Sequence, residues 1–230
     1  MIPVLIAPVY NRYDLLDRML DSVDVPVERA LVIDNGREGF QRDGWTVATP
    51  PFGSLGFPGS LNFGITQTAD APWWVWAGND VVFGPGDLAE WARIMDEAGD
   101  TPCIVSFHFA AGAMNRAMVD AVGLFDEWSF WPLYFDDQDF AWRCHLSGTD
   151  VTWYTGGMSE GADGFDTSLT IRSDPKLAAA NARTWHINRD AYIAKWGGPP
   201  GEQTFQTPWD SGLPLWAVRP SVSERVKRMW

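Results

Sequence analysis

Carboxylates stand at three places in this chain where they could do chemistry. Asp34 ends the run Val32-Ile33-Asp34, Asp80 follows Trp73-Trp74-Val75-Trp76-Ala77, and Asp136, Asp137 and Asp139 crowd one short stretch. Converging carboxylates can hold a divalent cation, and one of them can serve as a general base. Taken singly, each has an ordinary explanation as a turn or helix-capping aspartate. Their joint placement at the ends of predicted elements points to a site. Gly53-Ser54-Leu55-Gly56 invites a phosphate-loop reading, but no Gly-Lys-Ser/Thr follows, so a P-loop is rejected.

The elements that must position these groups alternate. Val4-Leu5-Ile6-Ala7, ended by Pro8, reads as a buried strand. A helix should follow, capped by Asn11 or Asp14, with Leu15, Leu16, Met19, Leu20 and Val23 at helical spacing until Pro26. Ala30-Leu31-Val32-Ile33 is a second strand, ending in the turn signal Asp34-Asn35-Gly36. Strands near 46–49, at 73–77 and at 104–109 are expected, with helices near 59–68, 87–98, 116–122, 136–146 and 176–196. Strand–helix–strand alternation predicts an α/β fold with a mostly parallel sheet and right-handed crossovers. Asp80 then sits at the carboxyl end of a strand, where open α/β sheets bind ligands.

Length and composition bound the rest. The 230 residues suit one large domain, and 46% hydrophobic with 20% charged residues is ordinary for a globular chain. The net charge of −13 disfavours general binding to nucleic acid. Two cysteines without metal-site spacing fit a reducing, cytoplasmic setting. No apolar run approaches the roughly 18 residues of a membrane span, and the start of the chain lacks the basic residues of a signal peptide. Fourteen tryptophans suit a core, an interface or sugar stacking.

Several segments, in order, resemble the motifs of family 2 glycosyltransferases with the GT-A fold. They are Pro8-Val9-Tyr10-Asn11-Arg12, Val32-Ile33-Asp34-Asn35-Gly36, Leu55-Gly56-Phe57-Pro58-Gly59-Ser60-Leu61-Asn62-Phe63-Gly64 and Asn79-Asp80. Val122-Gly123-Leu124-Phe125-Asp126-Glu127, followed by Tyr134-Phe135-Asp136-Asp137-Gln138-Asp139-Phe140-Ala141-Trp142-Arg143, is similar to the family's G-x-F-D-E … Y-x-E-D-x-D-x-x-x-R signature. The resemblance covers roughly residues 3–150. It implies a Rossmann-like domain over 1–198, with a donor half at about 1–105 and an acceptor half at about 106–198. A Pro/Trp-rich extension at 199–230 would pack on that domain.

The resemblance implies an inverting transfer of a sugar from a nucleotide-sugar donor to an acceptor hydroxyl. Pro8, Tyr10, Arg12, Asp34, Gly56, Asn62, Asn79 and Asp80 would contact the donor. A carboxylate at Asp34 could accept the N3–H of uracil or thymine, favouring UDP or dTDP. Asp80 matches the last acid of the family's metal-binding D-x-D, for Mn2+ or Mg2+. Asp137 matches the general base, while Trp128, Trp131, Asp136 and Asp139 would meet the acceptor. The acceptor itself, whether glycan, lipid-linked, protein or small molecule, is left open.

The chain departs from the family in two places. Gly78 replaces the first aspartate of the metal motif, and no histidine lies between His145 and His186. His186 is the one histidine late enough to serve as a metal ligand, although its helical setting also suits a packed or surface residue. Arg143, four residues after Asp139, is read as a helix ion pair worth about 0.2–0.5 kcal/mol.

Residues 155–175, rich in Gly, Ser and Asp, are expected to form a loop that orders over bound donor. The segment 221–230 mixes apolar and basic residues, consistent either with weak contact at a membrane surface or with a packed terminal helix. Two rival readings remain. One is a degenerate, transferase-like carbohydrate-binding module, and the other is a sugar-phosphate nucleotidyltransferase.

Overall fold

The run Ile2–Val9 (β1) is an interior strand of a seven-stranded sheet in the computed structural model, which describes residues 1–160 and 175–219. All but one of its residues are buried, as expected of a parallel strand covered on both faces. It pairs in parallel with Val27–Asp34 (β2) and with Trp73–Ala77 (β4), and β2 pairs in parallel with Thr46–Ala48 (β3). Beyond β4 come Ala111–Asn115 (β7), antiparallel, then Ile104–Phe107 (β6) and, at the far edge, Thr152–Trp153 (β8). The order is β3-β2-β1-β4-β7-β6-β8. A two-stranded antiparallel ribbon joins Val81–Val82 (β5) to Ser159–Glu160 (β9).

The helices are Tyr13–Asp21 (α1), Gly56–Gln67 (α2), Asp87–Ala98 (α3), Arg116–Val122 (α4), Asp136–Leu146 (α5) and Pro175–Trp196 (α6). The apolar stripe of α1 buries Leu15, Leu16, Met19 and Leu20. Its N-terminus corrects the sequence expectation: neither Asn11 nor Asp14 caps it, and Arg12, in a left-handed conformation with φ 56°, occupies that position without a side-chain cap. None of the helices among the described residues is long and apolar enough to cross a membrane.

Strand β7 is not foreseen by the sequence, and the expected strand over 104–109 ends at Phe107. Its sequence, Ala-Gly-Ala-Met-Asn, carries almost none of the branched or aromatic residues that mark strands. The tryptophans of β4 explain the choice. Trp76 faces Gly112 in the ladder, and a Cβ on Gly112 would lie 2.3 Å from the Trp76 ring. Small residues on one strand make room for large ones on its neighbour.

Trp74, Trp76, Trp91 and Trp196 are fully buried, whereas Trp128, Trp153, Trp185 and Trp216 are exposed. The tryptophans thus divide between core and surface. After α6 the chain folds back on it: Thr204 N–H and Phe205 N–H both donate to the Trp196 carbonyl, at 3.1 Å each. Trp216 lies against Gly123, where an added Cβ would sit 2.4 Å from that of Trp216. The expected donor loop at 155–175 falls mostly, and the basic tail at 221–230 wholly, outside the described residues.

Candidate active site

Turns leaving β1, β2 and β4 meet at the carboxyl edge of the sheet. Gly36 lets two of them touch: a Cβ there would stand 1.9 Å from the Tyr10 carbonyl oxygen, so any side chain would force the turns apart. Asn79 ties the third turn in, its amide donating to the carbonyls of Asn11 at 3.0 Å and Arg12 at 3.3 Å. Asp80 is nearly buried beside Gly78, and Gly78 N–H donates to the Ala110 carbonyl at 2.7 Å. Pro8 is buried and Tyr10 is 45% exposed. Arg12 is paired with Asp14 at 2.7 Å, which together with the nearby charge of Asp80 raises its pKa further.

Asp34 reaches this edge but is closed. It is fully buried and accepts from the Tyr13 hydroxyl, from Arg37 N–H at 2.8 Å and from Gly39 N–H at 3.1 Å. Burial and the bond to Asp34 push the Tyr13 phenol pKa up. Tyr13 and Arg37 share one carboxylate oxygen while the other takes only Gly39 N–H, so it is the full burial of Asp34 that a nucleobase would have to open.

The three acids of α5 differ in state. Tyr134 and Phe135 both have positive φ, 76° and 66°, and turn the chain sharply into the helix. Asp136 is buried, and burial, followed by the charges of Asp137 and Asp139, holds its carboxyl well above the usual range. Asp137 is half-buried and is raised by the same desolvation. Asp139 is fully buried. Burial alone would raise it, but Lys195 and Arg143 outweigh that and hold it below the usual value. Its oxygens receive Arg143 Nε at 2.9 Å, Lys195 Nζ at 2.7 Å and Trp196 Nε1 at 2.8 Å.

That network corrects two expectations. Asp139 does not face an acceptor, because its oxygens are taken by buried donors. Arg143 is indeed the i,i+4 partner of Asp139, but the pair is buried rather than solvated, and its guanidinium also binds the carbonyls of Val122 and Leu124. Asp126 of the Gly-Leu-Phe-Asp-Glu segment joins through Lys195 at 2.9 Å. Much of the recognised signature is therefore an internal clasp between α5, α6 and the 122–129 turn.

Asn62 is likewise structural rather than donor-facing: its amide donates to the Phe125 carbonyl at 2.8 Å and its oxygen accepts Phe125 N–H at 3.0 Å. Gly56, with φ +71°, lies where a Cβ would meet the Pro132 carbonyl oxygen at 2.6 Å. Its role is to let two loops approach. Phe57 N–H donates to that same carbonyl at 2.7 Å, and Trp131 Nε1 donates to Ser54 O at 3.3 Å. Trp131 is thus part of a loop junction. Trp128, 36% exposed, lines a groove of about 490 Å3 with Phe63, Leu124 and Trp216.

Two asparagines that the sequence reading did not assign to the site organise these loops. Asn35 accepts Leu55 N–H at 2.8 Å and donates to Ser60 Oγ at 2.9 Å, pinning the start of α2 to the end of β2. Asn188, fully buried on α6, donates to the carbonyls of Leu133 at 2.8 Å, Tyr134 at 3.2 Å and Trp131 at 3.4 Å. It holds the segment that delivers Asp136 and Asp137. An Asn within a predicted helix is the only signal the sequence offers.

Among the described residues no three His, Cys, Asp or Glu side chains cluster to hold a metal. His186 is exposed on α6, edge-on to Trp185 at 5.1 Å, and does not join such a cluster. Asp80 alone offers a carboxylate at the end of β4. One carboxylate fits a hard cation that shares its coordination with a ligand's phosphates, and does not fit a cation held by the protein alone.

No protein-family model matches the chain, and no curated protein matches it by sequence. Among solved structures it is similar to S. aureus TarS (residues 1–349), at 14% identity and a TM-score of 0.51, covering 84% of this chain and 71% of that one. TarS with UDP-GlcNAc gives 13% identity and a TM-score of 0.49, covering 88% and 74%. A Drosophila β-1,4-galactosyltransferase 7 variant with manganese, UDP-Gal and xylobiose gives 13% and 0.41, covering 70% and 67%. The first of these likenesses carries the fold: the chain has the GT-A fold of the glycosyltransferases.

Proposed function

We propose that this chain is an inverting glycosyltransferase that moves a sugar from a nucleoside diphosphate, UDP or dTDP, to an acceptor hydroxyl. The observation that carries the reading is the state of Asp137. Of the three acids at the start of α5, Asp139 is consumed by Arg143, Lys195 and Trp196 and Asp136 is buried, while Asp137 keeps part of its surface in solvent and has a raised pKa. A carboxylate raised toward working pH is a better general base than a free one.

In this reading Asp137 takes the proton of the acceptor hydroxyl as that oxygen attacks the anomeric carbon and the nucleoside diphosphate departs from the opposite face. The turns bearing Tyr10, Arg12 and Asp34 receive the nucleoside, and those bearing Asn79 and Asp80 receive the diphosphate. A cation carried with the diphosphate, Mn2+ or Mg2+, would touch Asp80 and offset charge on the leaving group. The exposed face of Trp128 would offer a stacking surface to an acceptor sugar. The free thiols of Cys103 and Cys144 support a cytoplasmic setting.

One observation favours a second reading, a sugar-binding module without turnover: Asp34 is closed on Tyr13. Release of nucleoside diphosphate from UDP- or dTDP-sugars decides between the two. Release that disappears in Asp137→Asn supports the transferase. Sugar binding with no release, unchanged in that variant, supports the module.

A further inference from the structure

The turn between β6 and β7 carries two consecutive non-glycine residues in the left-handed region, His108 with φ 49° and Phe109 with φ 57°. Such a backbone is costly and persists only where its surroundings impose it. They do so at Phe109. Its N–H donates to Ser106 Oγ at 2.9 Å, its carbonyl accepts Trp76 Nε1 at 3.1 Å, and its buried ring packs on Trp76 and Phe140. None of this calls for an imidazole at position 108. His108 is exposed and meets the Phe107 ring edge-on at 5.0 Å. Glycine would take the same turn with less strain.

The placement of that imidazole is specific. Both β4 and β6 run antiparallel to β7, and Ala111 pairs with Ala77 on one side and Phe107 on the other. The turn therefore leaves the sheet at the edge where Gly78-Asn79-Asp80 leaves it, and the Gly78–Ala110 hydrogen bond joins the two. On its other flank Phe109 packs on Phe140, one helical turn after Asp136 and on the same side of α5. The backbone at His108 thus lies next along the sheet edge from the turn that carries Asp80, and its neighbour Phe109 packs on the helix that carries Asp137. Along the sheet edge the order is Asp34, the 10–12 turn, Asp80, then His108.

We propose that His108 binds the β-phosphate of the donor, its ring N–H donating to a phosphate oxygen. The inference rests on the transferase reading. With the nucleoside at the β1 and β2 turns, the outer phosphate falls on the side of Asp80 nearest His108. A diphosphate there faces a chain of net charge −13 and an adjacent carboxylate. An imidazole N–H reaching that outer phosphate from the turn would offset this repulsion and stabilise the charge that develops as the sugar leaves.

Calorimetric titration of UDP and UMP into wild type, His108→Gly and His108→Gln tests this. We expect His108→Gly to bind UDP roughly tenfold more weakly, to bind UMP as wild type does, and to melt at a higher temperature because the left-handed strain is relieved. His108→Gln, which keeps an N–H donor, should recover part of the lost UDP affinity. Unchanged UDP binding in His108→Gly overturns the inference alone, as does an equal loss for UDP and UMP. A wild-type protein that binds neither UDP nor, in a parallel titration, dTDP overturns the transferase reading and this inference together.

Discussion

Lys195 Nζ lies 2.7 Å from Asp139 Oδ1 and 2.9 Å from Asp126 Oδ2, with all three side chains shielded from water. With Arg143 they make a neutral buried group of two acids and two bases. Removing one member of a buried ion pair leaves its partner charged and desolvated, at a cost of about 3–5 kcal/mol. Lys195→Met is therefore expected to lower unfolding free energy by that order in urea titrations. The pH dependence has a definite sign. Asp139 is held below its unfolded value, so its contribution is complete above that value and is lost as pH falls through the folded one. Wild type should lose stability in acid more steeply than Asp139→Asn.

Asp137→Asn is expected to cut turnover by about 10²–10⁴-fold, the range for a lost general base, with nucleotide affinity and melting temperature unchanged. Because burial raises Asp137, its basic form disappears at a higher pH than that of free aspartate. The wild-type rate should fall in acid through a midpoint above the ordinary aspartate value. A pH–rate profile flat down to that value would remove Asp137 from the role.

The alternating pattern was legible because buried parallel strands and amphipathic helices write themselves as local runs. Trp73–Ala77 and the helices Asp87–Ala98, Arg116–Val122 and Asp136–Leu146 follow from spacing within the segment, whereas the first strand, expected over Val4–Ala7 and ended by Pro8, runs Ile2–Val9 through Pro8. What was illegible depends on partners distant in sequence. Strand β7 is a strand because Trp76 needs a glycine opposite it. Asp139 belongs to the interior because Lys195 and Trp196 arrive from α6. The turn that carries His108 lies beside the turn that carries Asp80 because of β-pairing through β7 and not because of any motif, so no local run in the sequence announces it.

Tyr13 closes Asp34, so Tyr13→Phe should open it. The substitution removes a hydroxyl donor while keeping the ring that stacks on Phe40 at 5.8 Å. If Asp34 reads the nucleobase, UMP should bind at least roughly tenfold more tightly to Tyr13→Phe, because a competing hydrogen bond worth about 1.5–3 kcal/mol to a charged group no longer has to be broken. The gain should vanish in the double variant with Asp34→Ala. Weaker UMP binding to Tyr13→Phe would instead make the phenol itself a ligand contact.

Asn188 is the remaining test of how the base is held. Its amide satisfies carbonyls of Trp131, Leu133 and Tyr134, the backbone that runs straight into Asp136 and Asp137. Asn188→Ala leaves these buried acceptors without their donor, and a cost of about 1–3 kcal/mol is expected in denaturant titrations. The sharper readout is kinetic. A loosened 131–135 segment misplaces the base directly and reaches the nucleoside turns only through the 54–57 loop, so kcat should fall more than UDP affinity by calorimetry. An equal fall in both would show that Asn188 supports the whole sheet edge and not the base alone.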